Sequence, residues 1–154
     1  MKKKKLCFAA STGGHFEQLM LLAPLMDKYD SFIITEKTDY RLDTGGRRIY
    51  YTLMVNRREL LFPLKFFVIS LQSLGIMIRE RPDAVITTGV LAMIPASLLV
   101  KLFGGKLIYI ESFAKVSSPT QTGKLLYRFA DRFYVQWESM LEIYPDAVYE
   151  GGIY

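Results

Sequence analysis

Three short segments carry side chains or bare backbone able to do chemistry. Ser11-Thr12-Gly13-Gly14-His15 follows an apolar run and opens a helical pattern. Unpaired amide N–H groups and the positive end of a helix dipole favour an anion there, and glycines let the backbone approach it closely. A phosphate or diphosphate fits; a glycine pair serving only a tight turn is the plain alternative. His15 is the only histidine. A neutral imidazole at a helix start can accept a proton, so a general base is the role to expect, with local capping or packing as its bland counterpart. Thr87-Thr88-Gly89 forms a second turn and Glu111-Ser112 a third. In open α/β sheets ligands sit beyond the carboxyl ends of strands. The three loops should therefore converge on one crevice, with Ser11, Thr12, Gly13, Gly14, Thr88, Gly89 and Ser112 touching substrate. Glu111 would orient a substrate hydroxyl or assist proton transfer, or else be an ordinary surface carboxylate. Gly123-Lys124 lacks the upstream glycine and the following Ser or Thr of a P-loop and is set aside. One histidine and one cysteine leave nothing from which to assemble a structural zinc cluster.

Something must hold these loops in register. Leu6–Ala10, Phe32–Thr35, Ile49–Val55, Ala84–Thr88, Leu107–Ile110, Phe133–Val135 and Ala147–Tyr149 are short apolar or β-branched runs, and helical stretches separate most of them. That alternation predicts an α/β fold, a Rossmann-like parallel sheet with helices on both faces. Phe16, Leu19, Met20, Ala23 and Met26 share one helix face. Further helices are expected over Ile94–Phe103, stopped by Gly104-Gly105, over Lys124–Asp131, and over Glu138–Tyr144 before Pro145.

The chain has 154 residues, 51% hydrophobic and 23% charged, which describes a globular domain and leaves no room for a second full one; residues 1–154 read as a single unit. Cys7 is the only cysteine, so no internal disulfide can form and a cytosolic setting is favoured. The basic start Met1 to Lys5 precedes an apolar run too short for a signal peptide. A net charge of +5 and a pI near 9.3 suggest an anionic partner: nucleic acid, phosphorylated lipid head groups or a nucleotide. Basic residues gather at Lys2 to Lys5, at Arg47-Arg48 and at Arg57-Arg58 without an RNA-binding signature, which makes nucleic acid the weakest of the three.

Leu60 to Ile78 is almost wholly apolar. A helix beginning at Pro63 would be about 24 Å long, short of the roughly 30 Å hydrocarbon core, and should not span a bilayer. Arg58, Lys65, Gln72 and Arg79 fall seven apart on one polar stripe. A helix so greasy elsewhere either lies sandwiched in the domain core or meets lipid or a partner chain. On the lipid reading, Arg58, Phe62, Leu64, Lys65, Phe66, Phe67 and Ile69 make the membrane contact, cations near anionic lipid each adding about 1 kcal/mol.

The glycine loop with His15, the segment Arg81-Pro82-Asp83-Ala84-Val85-Ile86-Thr87-Thr88-Gly89, and Tyr109-Ile110-Glu111-Ser112 together resemble a known family over nearly the whole chain. It is similar to the membrane-recruiting subunits of the two-part UDP-N-acetylglucosamine transferase of dolichol-linked oligosaccharide synthesis, and to the accessory subunits of bacterial capsule and exopolysaccharide glycosyltransferases. All resemble the amino-terminal half of the peptidoglycan lipid-intermediate N-acetylglucosaminyltransferase, of glycosyltransferase-B fold. The resemblance implies an acceptor-side half that binds a polyprenyl-diphosphate-linked saccharide in surface polysaccharide biosynthesis. It would recruit a separate catalytic glycosyltransferase subunit that holds the UDP-sugar, leaving this chain without a cofactor of its own and inactive alone. His15 matches the family's candidate base, Gly89 its second loop and Glu111 its acidic residue. In the bacterial family the tail helps dock the partner, which here implicates Tyr149, Gly151, Gly152, Ile153 and Tyr154. The amino-terminal transmembrane helix frequent in eukaryotic subunits is not seen, so Lys2 to Lys5 and Leu60–Ile78 would attach the protein peripherally to the anionic cytoplasmic face. The chain ends where a complete glycosyltransferase-B enzyme would enter its second domain, which makes a separate subunit the expectation.

Two competing readings stand beside this one. A non-catalytic membrane scaffold would use the greasy helix as an anchor and only recruit the catalytic partner. A small nucleotide-binding oxidoreductase draws support from Glu36, which ends the second apolar run where a ribose-binding acid belongs. The loop lacks G-x-G-x-x-G, since Phe16-Glu17 stand where close helix packing needs glycine.

Overall fold

A computed structural model describes residues 3–154. Seven strands form one wholly parallel sheet: β1 (Lys5–Ala10), β2 (Asp30–Glu36), β3 (Arg48–Thr52), β4 (Ala84–Gly89), β5 (Lys106–Ile110), β6 (Arg132–Val135) and β7 (Val148–Tyr149), in the order β3-β2-β1-β4-β5-β6-β7. Each of the seven expected runs holds a strand, although β3 stops at Thr52 rather than at the expected Val55. The order reverses between β1 and β4, and in doubly wound sheets the crevice opens at that reversal.

Side-chain alternation along β1 assigns the two faces. Cys7 and Ala9 point into a core shared with α3 (Phe62–Glu80), α4 (Ile94–Leu102) and α5 (Gln121–Leu126). Leu6, Phe8 and Ala10 point to the other face, covered by α1 (Gly14–Met20) and α2 (Ala23–Met26). The helix expected from Phe16 to Met26 is thus two. Pro24 stands in the first turn of α2 and has no N–H to donate back, so the chain turns at Leu21-Leu22. α5 starts earlier than the expected Lys124 because the Thr120 hydroxyl caps it, accepting from the Gly123 N–H at 2.8 Å. Glu138–Glu142 is a 3₁₀ turn rather than an α-helix.

α3 is longer than expected: 19 residues, or about 28 Å. By length and composition it could cross a membrane, but its packing argues otherwise. Ile69, Ser73, Ile76, Met77 and Glu80 are buried on one face of the helix. Glu80 meets Lys5 Nζ at 2.9 Å, an Arg48 guanidinium N–H at 3.1 Å and the Tyr50 hydroxyl. Burial alone would raise the Glu80 pKa, but these three donors outweigh it and hold the carboxyl below its ordinary range. Pulling α3 out of the fold would expose that cluster and the core beneath.

The membrane-contact expectation is corrected in part. Ile69 is fully buried, and Phe62 and Phe66 are half-buried, because they share the inward face. Leu64 and Phe67 are exposed, and with Leu60, Leu71 and Ile78 they form a continuous apolar stripe opposite the buried face. Arg58 is exposed, while Lys65 pairs with Glu59 and Gln72 accepts the Leu53 N–H at 3.1 Å. Lys5 is committed to Glu80, Lys3 and Lys4 are exposed, and Lys2 lies outside the described residues.

Candidate functional site

β1 and β4 run parallel until Ala9, where the register shifts so that Ala10 pairs with Gly89 and Thr88 leaves the ladder. Thr88 then does something else. Its carbonyl oxygen lies 2.9 Å from His15 Nδ1, and its hydroxyl donates to the His15 carbonyl at 2.9 Å. A carbonyl can only accept, so Nδ1 carries a proton, and in the neutral ring Nε2 is left as the acceptor. The bulge thereby fixes both the tautomer and the tilt of the ring.

The chain after β4 is unusual. Gly89 has φ +101°, and a Cβ there would lie 2.7 Å from the Tyr109 hydroxyl. Val90 follows at φ +84°, a conformation that costs a β-branched residue free energy and clusters at functional sites. Val90, Leu91 and Ala92 line one wall of an open cleft of about 830 Å³ above the β1–β4 reversal. Ser11, Thr12 and His15 come from the first loop, Glu36 and Met54 to Glu59 from the β2 and β3 ends, Tyr109 from β5 itself, and Lys115 and Pro119 to Thr122 from beyond it.

The sequence-predicted residues divide. Ser11, Thr12 and His15 line the cleft; Gly13 and Gly14 are exposed beside it at the start of α1, whose first turn closes when the Glu17 N–H donates to Gly13 O at 3.0 Å. Thr88 and Gly89 sit beneath, as supports.

Glu111 and Ser112 do not line the cleft. Glu111 is 1% exposed, and its carboxylate accepts from the Ser112 N–H at 2.9 Å, the Thr120 hydroxyl at 2.9 Å, the Thr120 N–H at 3.2 Å and the Tyr144 hydroxyl at 3.0 Å. Burial first, and then the Glu111 charge, push the Tyr109 and Tyr144 phenols well above the ordinary tyrosine value, so both remain donors. Glu111 is therefore a buried anchor that folds the 112–120 loop over β5. Gly123 completes it: a Cβ there would lie 2.2 Å from Glu111 Oε2.

The tail lies on the same end of β6. The Ile153 N–H donates to Gln136 Oε1 at 3.1 Å, Gly152 passes close over Phe113, and the Tyr154 ring sits 4.7 Å from that of Phe113. Gly151 adopts φ +90°, and Tyr149 and Tyr154 are exposed.

Sequence reasoning passed over Lys115, Thr120 and Thr122, and weighed Glu36 only as a ribose ligand. Arg57-Arg58 stood out as a basic pair. Among the described residues neither arginine side chain nor that of Lys115 makes an ion pair or hydrogen bond, which leaves three cations beside the cleft free for an anion.

A family model described as "Oligosaccharide biosynthesis protein Alg14 like" matches residues 47–153, well over half of the chain. The chain belongs to the Alg14 family. Among its relatives, the human UDP-N-acetylglucosamine transferase subunit ALG14 is 36% identical over 81 residues, covering 49% of this chain and 38% of that protein. The Candida albicans subunit of the same name is 28% identical over 177 aligned positions, covering 97% of this chain and 81% of that protein. The chain thus spans well under half the length of the human Alg14 relative. In fold it superposes on MurG of Acinetobacter baumannii with TM-score 0.72 at 19% identity, covering 88% of this chain and 42% of that one. A Neisseria meningitidis UDP-GlcNAc 2-epimerase bound to UDP-GlcNAc gives TM-score 0.71 at 13% identity, covering 97% of this chain and 47% of that one. The fold of this Alg14 member is Rossmann-like, corresponding to one half of a glycosyltransferase-B architecture.

Proposed function

We propose that this Alg14-family chain is the acceptor-binding, membrane-recruiting subunit of a two-part glycosyltransferase. A catalytic partner subunit holds the UDP-sugar, and the sugar passes to a polyprenyl-diphosphate-linked saccharide at the cytoplasmic face of the membrane. The observation that carries this reading is the union of three features around one cleft. His15 Nε2 is an available proton acceptor, Arg57, Arg58 and Lys115 offer charge for a diphosphate, and the apolar stripe of α3 begins at Leu60, two residues from Arg58. A lipid diphosphate has the same sequence of chemistries: a sugar hydroxyl, two phosphates, then hydrocarbon.

In the reaction His15 Nε2 takes the proton of the acceptor hydroxyl as its oxygen attacks the anomeric carbon of the donor, and UDP leaves on the partner's side. The Nδ1 proton stays on the ring, hydrogen-bonded to the Thr88 carbonyl, so the imidazolium that forms already has a partner there. The names of the relatives, each a transferase subunit, support a second protein. Assignment to capsule or exopolysaccharide assembly rests on the sequence resemblance alone.

Co-expression with a candidate catalytic subunit, followed by assay of UDP-sugar transfer to a polyprenyl-diphosphate saccharide, tests the proposal. Activity is expected from the pair in the presence of membranes and not from either chain alone; full turnover by this chain by itself would refute it. A pair that keeps its activity after His15→Ala would support the scaffold reading instead.

A further inference from the structure

Glu36 ends β2 in the wall of the cleft and is only 7% exposed. Oε1 accepts the Val55 N–H at 3.2 Å; among the described residues nothing donates to Oε2. Among the described residues the buried side-chain atoms left without a partner are Thr35 Oγ1, Arg47 Nε and Ser73 Oγ, so the second oxygen of this largely buried carboxylate stays open to the cleft, where it can accept from whatever binds there. Burial pushes the Glu36 carboxyl up, and the Val55 amide pulls it only part of the way back.

The cleft narrows what can complete it. A phosphate is disfavoured at this oxygen, because two anions would face each other while the cations Arg57, Arg58 and Lys115 stand elsewhere on the cleft. A protein cation is not supplied, since Arg57, Arg58 and Lys115 make no ion pair with it. No group of three or more His, Cys, Asp or Glu side chains placed to hold a metal ion occurs among the described residues. What remains is a neutral donor, a hydroxyl or an amide N–H, and a saccharide carries both kinds.

We propose that Glu36 reads the acceptor's sugar: Oε2 accepts a hydrogen bond from one hydroxyl or acetamido N–H of the saccharide next to the diphosphate, and so selects which saccharide is extended. This rests on the acceptor-binding function proposed above. The Val55 bond serves the same end by fixing the carboxylate plane and by tying Glu36 to the turn that presents Arg57 and Arg58. Sugar and diphosphate are then recognised by parts of one braced unit, the carboxylate for neutral donors and the cations for charge.

The test uses the assembled pair and a panel of polyprenyl diphosphates carrying glucose, galactose or N-acetylglucosamine, with the monodeoxy analogues of whichever is turned over. In Glu36→Gln the amide oxygen would take the Val55 N–H and turn its NH₂ toward the sugar, where an acceptor is needed. The acceptor KM should rise about ten- to a hundredfold, with the UDP-sugar KM unchanged. One deoxy analogue should lose the same factor with the wild-type pair and lose nothing further with the variant. Equal acceptor KM for wild type and Glu36→Gln would overturn the proposal, as would deoxy penalties that simply multiply with the substitution. Should Glu36→Gln fold poorly, Glu36→Asp is read in the same way, because its shortened carboxylate must lose acceptor but not donor affinity. A wild-type pair inactive on the whole panel would overturn the acceptor-binding function and this inference with it, whereas a failure confined to the Glu36 variants leaves that function standing.

Discussion

Thr88 holds His15 twice, once at the ring and once at the main chain, with both contacts at 2.9 Å. Losing the imidazole should therefore remove the proposed base without unfolding its loop, since the Thr88 hydroxyl still grips the His15 carbonyl. In the assembled pair, His15→Ala should lower kcat by about 10²–10⁴ and leave the acceptor KM within a few-fold. A matched loss in Thr88→Val would be surprising; removing only the hydroxyl leaves the carbonyl that sets the tautomer, and a fall of about tenfold or less is expected. Steady-state kinetics with varied acceptor separates the two effects.

Glu111 is a stability residue in this geometry. Glu111→Ala would strip acceptors from Thr120, Tyr144 and the Ser112 N–H in a site closed to water, at a cost of about 2–4 kcal/mol. Gly123→Ala attacks the same anchor sterically and should cost about 1–3 kcal/mol. Urea unfolding followed by circular dichroism measures both. A Glu111→Ala protein with wild-type stability and no activity would restore the carboxylate to a chemical role.

The stripe on α3 predicts a membrane effect separable from folding. Leu64→Glu with Phe67→Glu alters two side chains already 60% and 59% exposed, so the melting temperature should stay within a few degrees. Co-sedimentation with anionic vesicles should fall at least tenfold. Ile69→Glu, by contrast, buries a charge in the core and should unfold the protein.

Asp131 ties β5 to β6, accepting from the Leu107 N–H at 2.8 Å, Lys101 at 2.6 Å and Lys106 at 3.1 Å. Burial alone would raise its pKa, but Lys101, the Leu107 amide and Lys106 reverse that and hold it at about 2. A carboxylate depressed in the folded state stabilises above its unfolded pKa of about 3.9, and that contribution disappears as the pH falls toward the folded value. Asp131→Asn should cost about 1–2 kcal/mol at neutral pH, a gap that narrows below about pH 4 and closes near pH 2. Denaturation curves of both proteins across that range check the sign.

Periodicity revealed the sheet because the central strands β1, β2 and β4 bury nearly all of their apolar runs, and no later contact changes that requirement. The crevice was legible for the same reason, since the loops that follow β1 and β4 in a parallel sheet must lie together. Glu111 was not. Its partners Thr120 and Tyr144 stand 9 and 33 residues away, and only the folded chain reveals that they saturate it. Glu36 looked like a ribose ligand by position, and its free oxygen became visible only once Val55 was seen to occupy the other. On α3 composition could say greasy but not which side faces out; Ile69 and Phe67 differ in that respect solely through what the sheet lies against.

The turn Asn56 to Leu61 belongs to two surfaces at once, closing the cleft with its arginines and opening the outer stripe of α3 with its leucines. If that stripe rests on a leaflet, the mouth of the site sits at head-group depth. A substrate tethered by its hydrocarbon would arrive by sliding sideways in the sheet of lipids, never leaving it. Encounter then becomes a two-dimensional search, governed by the number of acceptors per unit area of membrane rather than per unit volume.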